Sequence, residues 1–425
     1  MADRRRVLLV ATTTGYQTEQ FRQAALALGV DLTLATDRCH QLPDPWGDQA
    51  IPVRFEPGKE VLRDALTAVR ARGPFQGIAA VGDRAAVLAA QLAETLKLPF
   101  HSAAAAAVAR NKFAFRQALS DAGLPTPWFR RFRLDADPRT AAGGLQFPCV
   151  LKPLMLSASR GVIRANSAAE FAAAFERVRR LLESPAIRQW KDPNADWILV
   201  EGFISGREFA LDGWMAAGVL QRFVLFDKPD PLEGPFFEET VYLAPSRLEV
   251  EQRALIWDMV EAAARAAGLC SGPIHAEIRL DGSNAYVLEI AARSVGGYCG
   301  RVLRFTRPGQ PQTVSLEQVL LRGALGEPLS AWQRETSAAG VMMIPIPGSG
   351  ILEQVRGVAQ AAAVPGIETV EITAKPGEPL QALPEGATYL GFIFSRSATP
   401  AAVEQALRTA HAKLQVEMRQ ALPVA

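Results

Sequence analysis

The stretch FPCVLKP at positions 147–153, followed by SASRGV at 157–162, is the most informative part of this sequence. Its apolar residues predict a buried strand that presents one lysine, Lys152, before a proline ends it. Small residues in the following loop allow backbone amides to approach an anion closely, and these amides with one ammonium group form a phosphate cradle. A purely structural strand and turn is the alternative. The small loop residues are Ser157, Ser159 and Gly161.

The segment from 197 to 212 predicts two strands that are separated by a short hinge. This arrangement places Glu201 and Glu208 near each other across a turn. Backbone groups of such a hinge can recognise the edge of a purine, and a carboxylate can accept hydrogen bonds from ribose hydroxyls. The segment therefore favours a nucleotide site beside the phosphate cradle.

A β-hairpin is predicted where GPIHAEIR (272–279) and AYVLEI (285–290) are joined by DGSN. Its strands carry Glu277 and Glu289, whose oxygens are natural ligands for magnesium. A two-residue loop would leave the two carboxylates on opposite faces, whereas a three-residue loop, 282–284, pairs them directly on one face. We therefore predict the three-residue loop. An exposed hairpin with solvated glutamates is the alternative.

The first hundred residues alternate between strand and helix patterns. Strands are predicted at 6–11, 31–35 and 77–81, and helices at 19–28 and 82–96. This rhythm predicts a Rossmann-like parallel sheet with helices on both faces, an α/β domain. The first turn contains a single glycine, Gly15, so the multi-glycine fingerprint of a nicotinamide site is missing.

The remainder of the chain is predicted to be α+β, with polar connectors at 135–144 and 185–196. Strands follow at 340–346, 369–372 and 389–395, and a helix at 400–418. We predict three domains, which are an N-terminal Rossmann-like domain (1–105), a central domain (106–310) with a small lid subdomain at about 125–200, and a C-terminal α+β extension (311–425).

The composition excludes several classes of protein. The formal net charge is +2, which argues against a nucleic-acid binder. No stretch of 18 apolar residues is present, so we expect no membrane partner, and no secretory signal is recognisable. Four isolated cysteines without metal-ligand spacing fit a reducing cytoplasm. These cysteines are Cys39, Cys149, Cys270 and Cys299.

The motifs occur in the order and spacing of the ATP-grasp superfamily, which the sequence resembles over roughly residues 105–305. Within it, the sequence is most similar to the bacterial L-amino acid ligases. The motifs that carry this second likeness are Asp227-Lys228, the segment GPFFEE at 234–239, and EIAAR at 289–293 followed by Gly296 and Gly297.

The resemblance implies an ATP-grasp fold with ATP and Mg²⁺ as cofactors, and with Mn²⁺ able to substitute. Nucleotide roles fall to Lys112 and Lys152 (phosphates), the loop 157–161 (closure over them), Glu201 and Phe203 (adenine, through the hinge backbone), and Glu208 (ribose). Metal and substrate roles fall to Glu277 and Glu289 (magnesium), Arg293 (acyl phosphate), and Gly296 and Gly297 (backbone amides). One departure is Ala291, where many relatives have a further metal ligand, an asparagine.

The implied reaction is ATP-dependent ligation of a small carboxylate to an amine through an acyl phosphate, with amino acids as the expected substrates. His275 precedes Glu277 on the same strand face, and either a catalytic or a structural role fits it. Two other functions stay open, a carboxylase that phosphorylates bicarbonate and a nucleotide-binding protein without turnover. The arginine-rich segment of biotin carboxylases does not follow Glu289. The resemblance also allows a homodimer.

Overall fold

The computed structural model describes residues 4–12, 16–37 and 50–420. Gly15 and Cys39 lie outside these residues. The N-terminal region alternates strands and helices as predicted. Its elements are β1 (Arg6–Ala11), α1 (Tyr16–Leu28), β2 (Asp31–Thr36), β3 (Ile51–Pro52), α2 (Lys59–Arg72), β4 (Gly77–Val81) and α3 (Asp83–Leu96).

The N-terminal sheet is parallel, in the order β3-β2-β1-β4. Successive side chains of β1 face opposite sides of the sheet. Leu8 and Val10 join one core cluster with residues of α2 and α3, whereas Val7 and Leu9 join another with residues of α1. The prediction of a parallel sheet covered on both faces is confirmed.

A small antiparallel sheet follows two connecting helices. Its order is β5-β8-β6-β7, and α7 covers one face with buried Phe171 and Phe175. The two connecting helices are α4 (Ala103–Arg110) and α5 (Lys112–Asp121). The elements of the lid region are β5 (Phe129–Arg133), α6 (Pro138–Ala141), β6 (Cys149–Pro153), β7 (Ile163–Ala165), α7 (Ala168–Glu183), α8 (Pro185–Arg188) and β8 (Trp197–Gly202).

The two connectors at 135–144 and 185–196 are not entirely irregular. Each contains a four-residue helix, α6 and α8, that starts with a proline at its first position. Proline is favoured there because its fixed φ suits the first helical turn and its missing N–H would be unpaired anyway. Asp137 accepts hydrogen bonds from the first backbone amides of α6. The prediction of plain loops was therefore wrong for these turns.

The rest of the chain forms a large antiparallel sheet with helices and two small sheets. Its elements are β9 (Arg207–Ala216), β10 (Val219–Asp227), β11 (Val241–Ala244), α9 (Val250–Ala266), β12 (Gly272–Asp281), β13 (Asn284–Ala291), β14 (Arg304–Arg307), β15 (Gln310–Ser315), α10 (Leu316–Ala324), β16 (Gln333–Arg334), β17 (Ala338–Ile344), β18 (Gly350–Arg356), α11 (Val358–Ala362), β19 (Ile367–Ile372), β20 (Pro379–Leu380), β21 (Gly391–Ser397), α12 (Pro400–His411) and β22 (Gln415–Arg419).

One eight-stranded sheet runs through both the central and the C-terminal regions, in the order β13-β12-β9-β10-β11-β17-β21-β19. The two regions join where β11 pairs with β17, with Val241 opposite Met342. The N-terminal region is joined by α10, which packs with α1 in a shared core cluster. The end of α10 also lies against β4, and Gly77 allows this approach, because a Cβ atom there would lie 2.6 Å from the carbonyl oxygen of Ala324.

The three predicted C-terminal strands lie within two residues of β17, β19 and β21, but β18 and β20 were not predicted, and the end of the final helix was predicted wrongly. α12 ends at His411, and the next residues form β22, which pairs with β18. Val416 and Met418 alternate along β22 and pack against the C-terminal core, which is the two-residue period of a strand. None of the helices within the described ranges has the length and apolar character needed to cross a bilayer.

Candidate active site

The two lysines predicted to hold phosphates come from different elements. Lys112 is the first residue of α5, whose start is fixed by Asn111, because the Asn111 side chain accepts hydrogen bonds from two backbone amides. The Lys112 ammonium lies 3.0 Å from Glu289 Oε2. Lys152 extends from β6, and its ammonium lies 2.7 Å from Glu201 Oε1. Each lysine therefore rests against a carboxylate of the predicted site.

The loop 157–161 has an unusual backbone. Ala158 and Ser159 have φ angles of 57° and 54°, a left-handed conformation that is costly for residues other than glycine. Such strain is characteristic of functional loops, and left-handed residues in a turn help to form anion-binding concavities of backbone amides. The Gly161 amide, in contrast, donates to the carbonyl oxygen of Pro384 at 2.7 Å. That amide therefore stabilises the position of the loop and is not available to a ligand in the cleft.

A C-terminal loop contacts the loop 157–161, which we call the phosphate loop after its predicted role. Next to Pro384, the Glu385 carboxylate forms a bidentate ion pair with Arg177 of α7, with one contact at 2.9 Å. The Glu385 carbonyl oxygen also accepts a hydrogen bond from the Arg160 side chain at 2.8 Å. Residues 384 and 385 thus connect the C-terminal region to both the lid helix and the phosphate loop, and we call this contact the latch.

Glu201 lies at the end of β8, and its carboxylate is 2% exposed. Arg116 of α5 donates to it through Nε at 2.7 Å and donates as well to the carbonyl oxygens of Val287 and Leu288, both at 2.8 Å. Burial would raise the pKa of Glu201, but Arg116 and Lys152 outweigh this effect and lower the pKa to about 2. Arg116 therefore ties the hinge to β13.

Sequence reasoning missed Arg116. Phe115, Arg116 and Leu119 lie on one face of α5 and are all buried, so the helical spacing of an arginine between apolar residues was the available signal. An arginine on an apolar helix face requires a buried partner.

The hinge after β8 borders an apolar slot. The Phe203 amide already donates to the carbonyl oxygen of Pro148 at 3.1 Å, so it has a partner within the protein. The Phe203 ring lies 6.4 Å from the ring of Phe237, with an angle of 29° between them, and the Arg164 guanidinium covers it at 4.1 Å. Phe203 and Phe237 line a cleft of about 680 Å³. We call this space the nucleotide cleft.

A buried charge cluster lies beside that cleft. Lys228 is 6% exposed, and its ammonium lies 2.8 Å from Glu208 Oε1 and 3.5 Å from Glu277 Oε1. It also contacts Glu239, which in turn accepts a hydrogen bond from Tyr242. The sequence motifs containing Lys228 and Glu239 were recognised, but neither residue was given a role in the site.

Glu277 and Glu289 lie directly opposite each other on β12 and β13, as predicted. The loop between them, however, was predicted wrongly. Asp281 pairs with Asn284, so the loop has two residues, and a β-bulge between Glu289 and Val287 restores the register. A bulge inserts one unpaired residue into one strand and therefore has the effect that a third loop residue would have had.

The carboxylates around Glu277 fit a hard cation. Within the described ranges, oxygens of Glu208, Glu239 and Glu277 lie within 4.8 Å of one another. Burial and the neighbouring Glu239 raise the pKa of Glu277 well above its usual value, although Lys228 and Arg279, which lies 3.0 Å from Glu208, both neutralise part of the cluster. A cation bound here would favour the ionised form of Glu277. Magnesium is bound by oxygen ligands, among them one or two carboxylates beside substrate phosphates. Glu277 and Glu289 would be its ligands on this edge of the sheet.

A second cleft of about 1370 Å³ meets the nucleotide cleft at Glu277 and Glu289, which line both. We call it the substrate cleft. Of the fourteen predicted site residues, nine line the nucleotide cleft, four line only the substrate cleft, and Gly161 lines neither. The four in the substrate cleft are His275, Arg293, Gly296 and Gly297.

Arg293 forms a bidentate ion pair with Asp83, the first residue of α3 in the N-terminal region. The distances are 2.7 Å from Nε to Oδ1 and 3.2 Å from Nη2 to Oδ2. Burial raises the pKa of Asp83, but Arg293 overcomes this and, with smaller contributions from Lys112 and Ser157, lowers it to about 2. Asp83 was foreseen only as a helix start. The N-terminal region therefore contributes a charged group to the site.

His275 is held by Asp212, the residue opposite it on β9. Its Nδ1 lies 2.7 Å from Asp212 Oδ1, and the other carboxylate oxygen accepts a hydrogen bond from the Val295 amide at 2.8 Å. When Nδ1 carries the proton, the Nε2 lone pair is available in the substrate cleft, 4.0 Å from Glu277.

Gly297, on the same cleft, has φ of +60°, and a Cβ there would lie 3.1 Å from the Met343 sulfur.

Three parts of the chain match models of known domain families. Residues 22–100 match an ATP-grasp N-terminal domain, residues 145–302 an ATP-grasp domain, and residues 342–419 an L-amino acid ligase C-terminal domain 2. The crystal structure of an L-amino acid ligase from Bacillus licheniformis superposes with a TM-score of 0.82 at 27% sequence identity, which covers 99% of this chain and 100% of that one.

Two curated relatives resemble the chain over about half of its length. A D-alanine–D-alanine ligase of Aromatoleum aromaticum is 30% identical over 204 residues, or 47% of this chain and 62% of that protein. An alanine–anticapsin ligase of Bacillus subtilis is 28% identical over 221 residues, or 49% of this chain and 46% of that protein. The chain therefore spans about half to three fifths of the length of these relatives.

Replacing Glu201 by glutamine (Glu201→Gln) is expected to lower the free energy of unfolding by about 3 kcal/mol at pH 7, because two buried cations lose their carboxylate. The folded-state pKa of about 2 lies below the usual 4.5, so the stabilisation is complete above pH 4.5 and is lost as the pH falls towards 2. Urea unfolding at pH 7 and pH 3 measures this. Glu183→Gln, at an exposed position of α7, is the control. An equal loss at both pH values would contradict the assignment.

Replacing Glu385 by glutamine is expected to loosen the latch, because the bidentate ion pair with Arg177 loses its charge. Amides in the segment 158–162 should exchange about tenfold faster with solvent, as local opening becomes easier. Hydrogen exchange followed by mass spectrometry of peptides measures the effect. Glu353→Gln, at an exposed position of β18, should leave the same amides unchanged. Unaltered protection in the Glu385 variant would show that the latch does not restrain the loop.

Proposed function

We propose that this chain, which belongs to the ATP-grasp superfamily, is an ATP-dependent ligase that joins a small carboxylate to an amine through an acyl phosphate. The observation that carries the proposal is the meeting of two clefts at Glu277 and Glu289. One cleft has lysines and a strained small-residue loop, and the other has Arg293 and His275. A phosphoryl group could pass between them at the shared carboxylates.

The nucleotide cleft suits ATP. Its apolar slot, with Phe203 and Phe237, offers walls to a planar base. Lys112 and Lys152 would hold the phosphates, and the left-handed backbone at Ser159 would support close contacts from amides. A bound ATP would replace Glu289 and Glu201 as partners of the two ammonium groups.

In the first step, an oxygen of the substrate carboxylate attacks the γ-phosphorus, the bond to the ADP oxygen breaks, and an acyl phosphate forms. Magnesium held by Glu277 and Glu289 would neutralise charge on the phosphates. The ammonium group of Lys112, 3.0 Å from Glu289, would lie beside the same phosphates. Positioning and charge neutralisation account for most of the catalysis in phosphoryl transfer.

In the second step, the neutral amine attacks the acyl carbon, the carbon–oxygen bond to phosphate breaks, and inorganic phosphate leaves with the electron pair. The amine nitrogen must also lose a proton. His275 Nε2 is suited to accept this proton, since Asp212 fixes the ring through Nδ1. Arg293 would face the negative charge that develops on the acyl phosphate. A guanidinium suits this position because it stays charged.

A screen for phosphate release tests the function. Purified protein with ATP and magnesium is supplied with pools of amino acids and other acids, with and without amines. Release that needs both an acid and an amine supports the ligase, and release that needs bicarbonate supports a carboxylase. Tight ATP binding without release in any pool would favour a nucleotide-binding protein without turnover. Homodimer formation and a cytoplasmic location stay predictions.

Replacing Glu289 by glutamine is expected to lower the rate of phosphate release at least about 100-fold, because the metal loses an anionic ligand beside the transferred phosphoryl group. Calorimetric titration with Mg²⁺ and a non-hydrolysable ATP analogue should show weaker metal binding as well. Glu60→Gln, at an exposed position of α2, is the matched control. Turnover within threefold of the unmodified protein would refute the metal assignment.

A further inference from the structure

Two guanidinium groups line the substrate cleft, and their surroundings differ. Arg293 is neutralised by the bidentate ion pair with Asp83. Arg84, the next residue of α3, has no hydrogen bond or ion pair among the described residues. The second guanidinium therefore lines the cleft with its hydrogen-bond donors unpaired within the described part of the chain.

Two aromatic rings fix the position of Arg84. Its guanidinium lies 4.8 Å from the ring centre of Trp190 in the lid region and 5.6 Å from that of Phe55 in the N-terminal region. Stacking of this kind orients the planar group without using its N–H donors, which stay available for a carboxylate. Arg84 is half-buried, so a ligand bound to it would also be partly shielded from water.

The acids near Arg84 have partners or lie farther off. Asp192 pairs with Arg110 at 2.7 Å, and Glu56 lies 4.0 Å from the Lys191 ammonium. Asp37 also influences Arg84 electrostatically, without an ion pair between them. None of these groups forms a salt bridge with the Arg84 guanidinium in the described part of the chain, so the guanidinium remains a site for an external anion.

The position of Arg84 decides which anion it can serve. It lines the substrate cleft and not the nucleotide cleft, so it lies outside the lining of the space proposed for ATP. The carboxylate to be activated must reach Glu277 and Glu289, where the two clefts meet. A carboxylate at Arg84 would be a second one, and it would not be consumed.

We propose that Arg84 binds the carboxylate of the amine substrate, so that the group joined to the acyl phosphate is an amino acid and not a simple amine. This inference rests on the proposed ligase function. Arg84 then sets the specificity for the acceptor by pairing with a charge that the reaction leaves unchanged. A bidentate pair of guanidinium and carboxylate gives both binding energy and orientation.

A competition experiment measures this role directly. The protein is given ATP, magnesium, one donor amino acid, and an equimolar mixture of an acceptor amino acid and its carboxamide. The experiment is repeated with each standard amino acid as the acceptor. Mass spectrometry gives the ratio of dipeptide to dipeptide amide, which equals the ratio of the two kcat/KM values. Effects on the donor and on ATP cancel in this ratio.

The unmodified protein should favour the acid. Arg84→Met should lower the product ratio roughly 30-fold, the usual effect of losing a charged hydrogen-bonded pair. Arg84→Lys, which keeps the charge, should give an intermediate ratio. The control is Arg131→Met, because Arg131 also stacks on two rings, at 4.6 Å and 4.5 Å, but lies outside the cleft. Its ratio should not change.

An unchanged ratio in both Arg84 variants, or an equal change in the Arg131 variant, would overturn the role of Arg84 while leaving the ligase function intact. If no pair of substrates gives a product, the ligase proposal fails. The role of Arg84 is then tested by calorimetry, which measures the binding of the same amino acids and carboxamides in the presence of a non-hydrolysable ATP analogue. Binding of the acids that weakens in Arg84→Met, but not in Arg131→Met, would still support the carboxylate site. Equal binding to all three proteins would overturn it.

Discussion

The site depends on a concentration of buried carboxylates where β12 and β13 run side by side. Glu277 and Glu289 are opposed in register, and Glu208 and Glu239 add two more carboxylates nearby. A buried carboxylate is costly unless a cation accompanies it. The lysines and arginines that satisfy this demand come from separate parts of the chain, and their convergence gives the site its shape.

The convergence also explains why three regions are needed. Asp83 comes from the N-terminal region, Lys112 from a connecting helix, and Glu385 from the C-terminal region. Each contributes one side of a charged contact whose partner lies far away in the sequence. Of these contacts, the one between Glu385 and Arg177 holds the lid helix α7 to the C-terminal region, so a movement of this helix would have to break the latch.

Local patterns in the sequence were sufficient for the elements that carry the site. The strand before Lys152 and the pairing of Glu277 with Glu289 follow from apolar runs and a turn of small polar residues. The bulge that sets this pairing could not be predicted from the sequence. A two-residue loop with a bulge and a three-residue loop both place the two glutamates opposite each other.

The partners of these residues could not be predicted in the same way. Arg116 with Glu201, and Asp83 with Arg293, are contacts between distant segments, and no spacing in the sequence records them. The final strand was missed for a different reason, since its alternating residues follow a helix of similar composition. Over so few residues, the apolar periodicity does not distinguish a strand from a continued helix, and the pairing of β22 with β18 decides the outcome.

The continuity of the large sheet limits how this protein could be rearranged. Residues 342–419 match a domain model of their own, yet β17 hydrogen-bonds to β11 of the central region, and the loop carrying Pro384 supports the phosphate loop. Recombination with a relative at residue 342 would have to preserve a strand register and a backbone hydrogen bond at once. The C-terminal part is therefore not an independent module, because its exchange would have to keep both the strand pairing and the support of the loop 157–161.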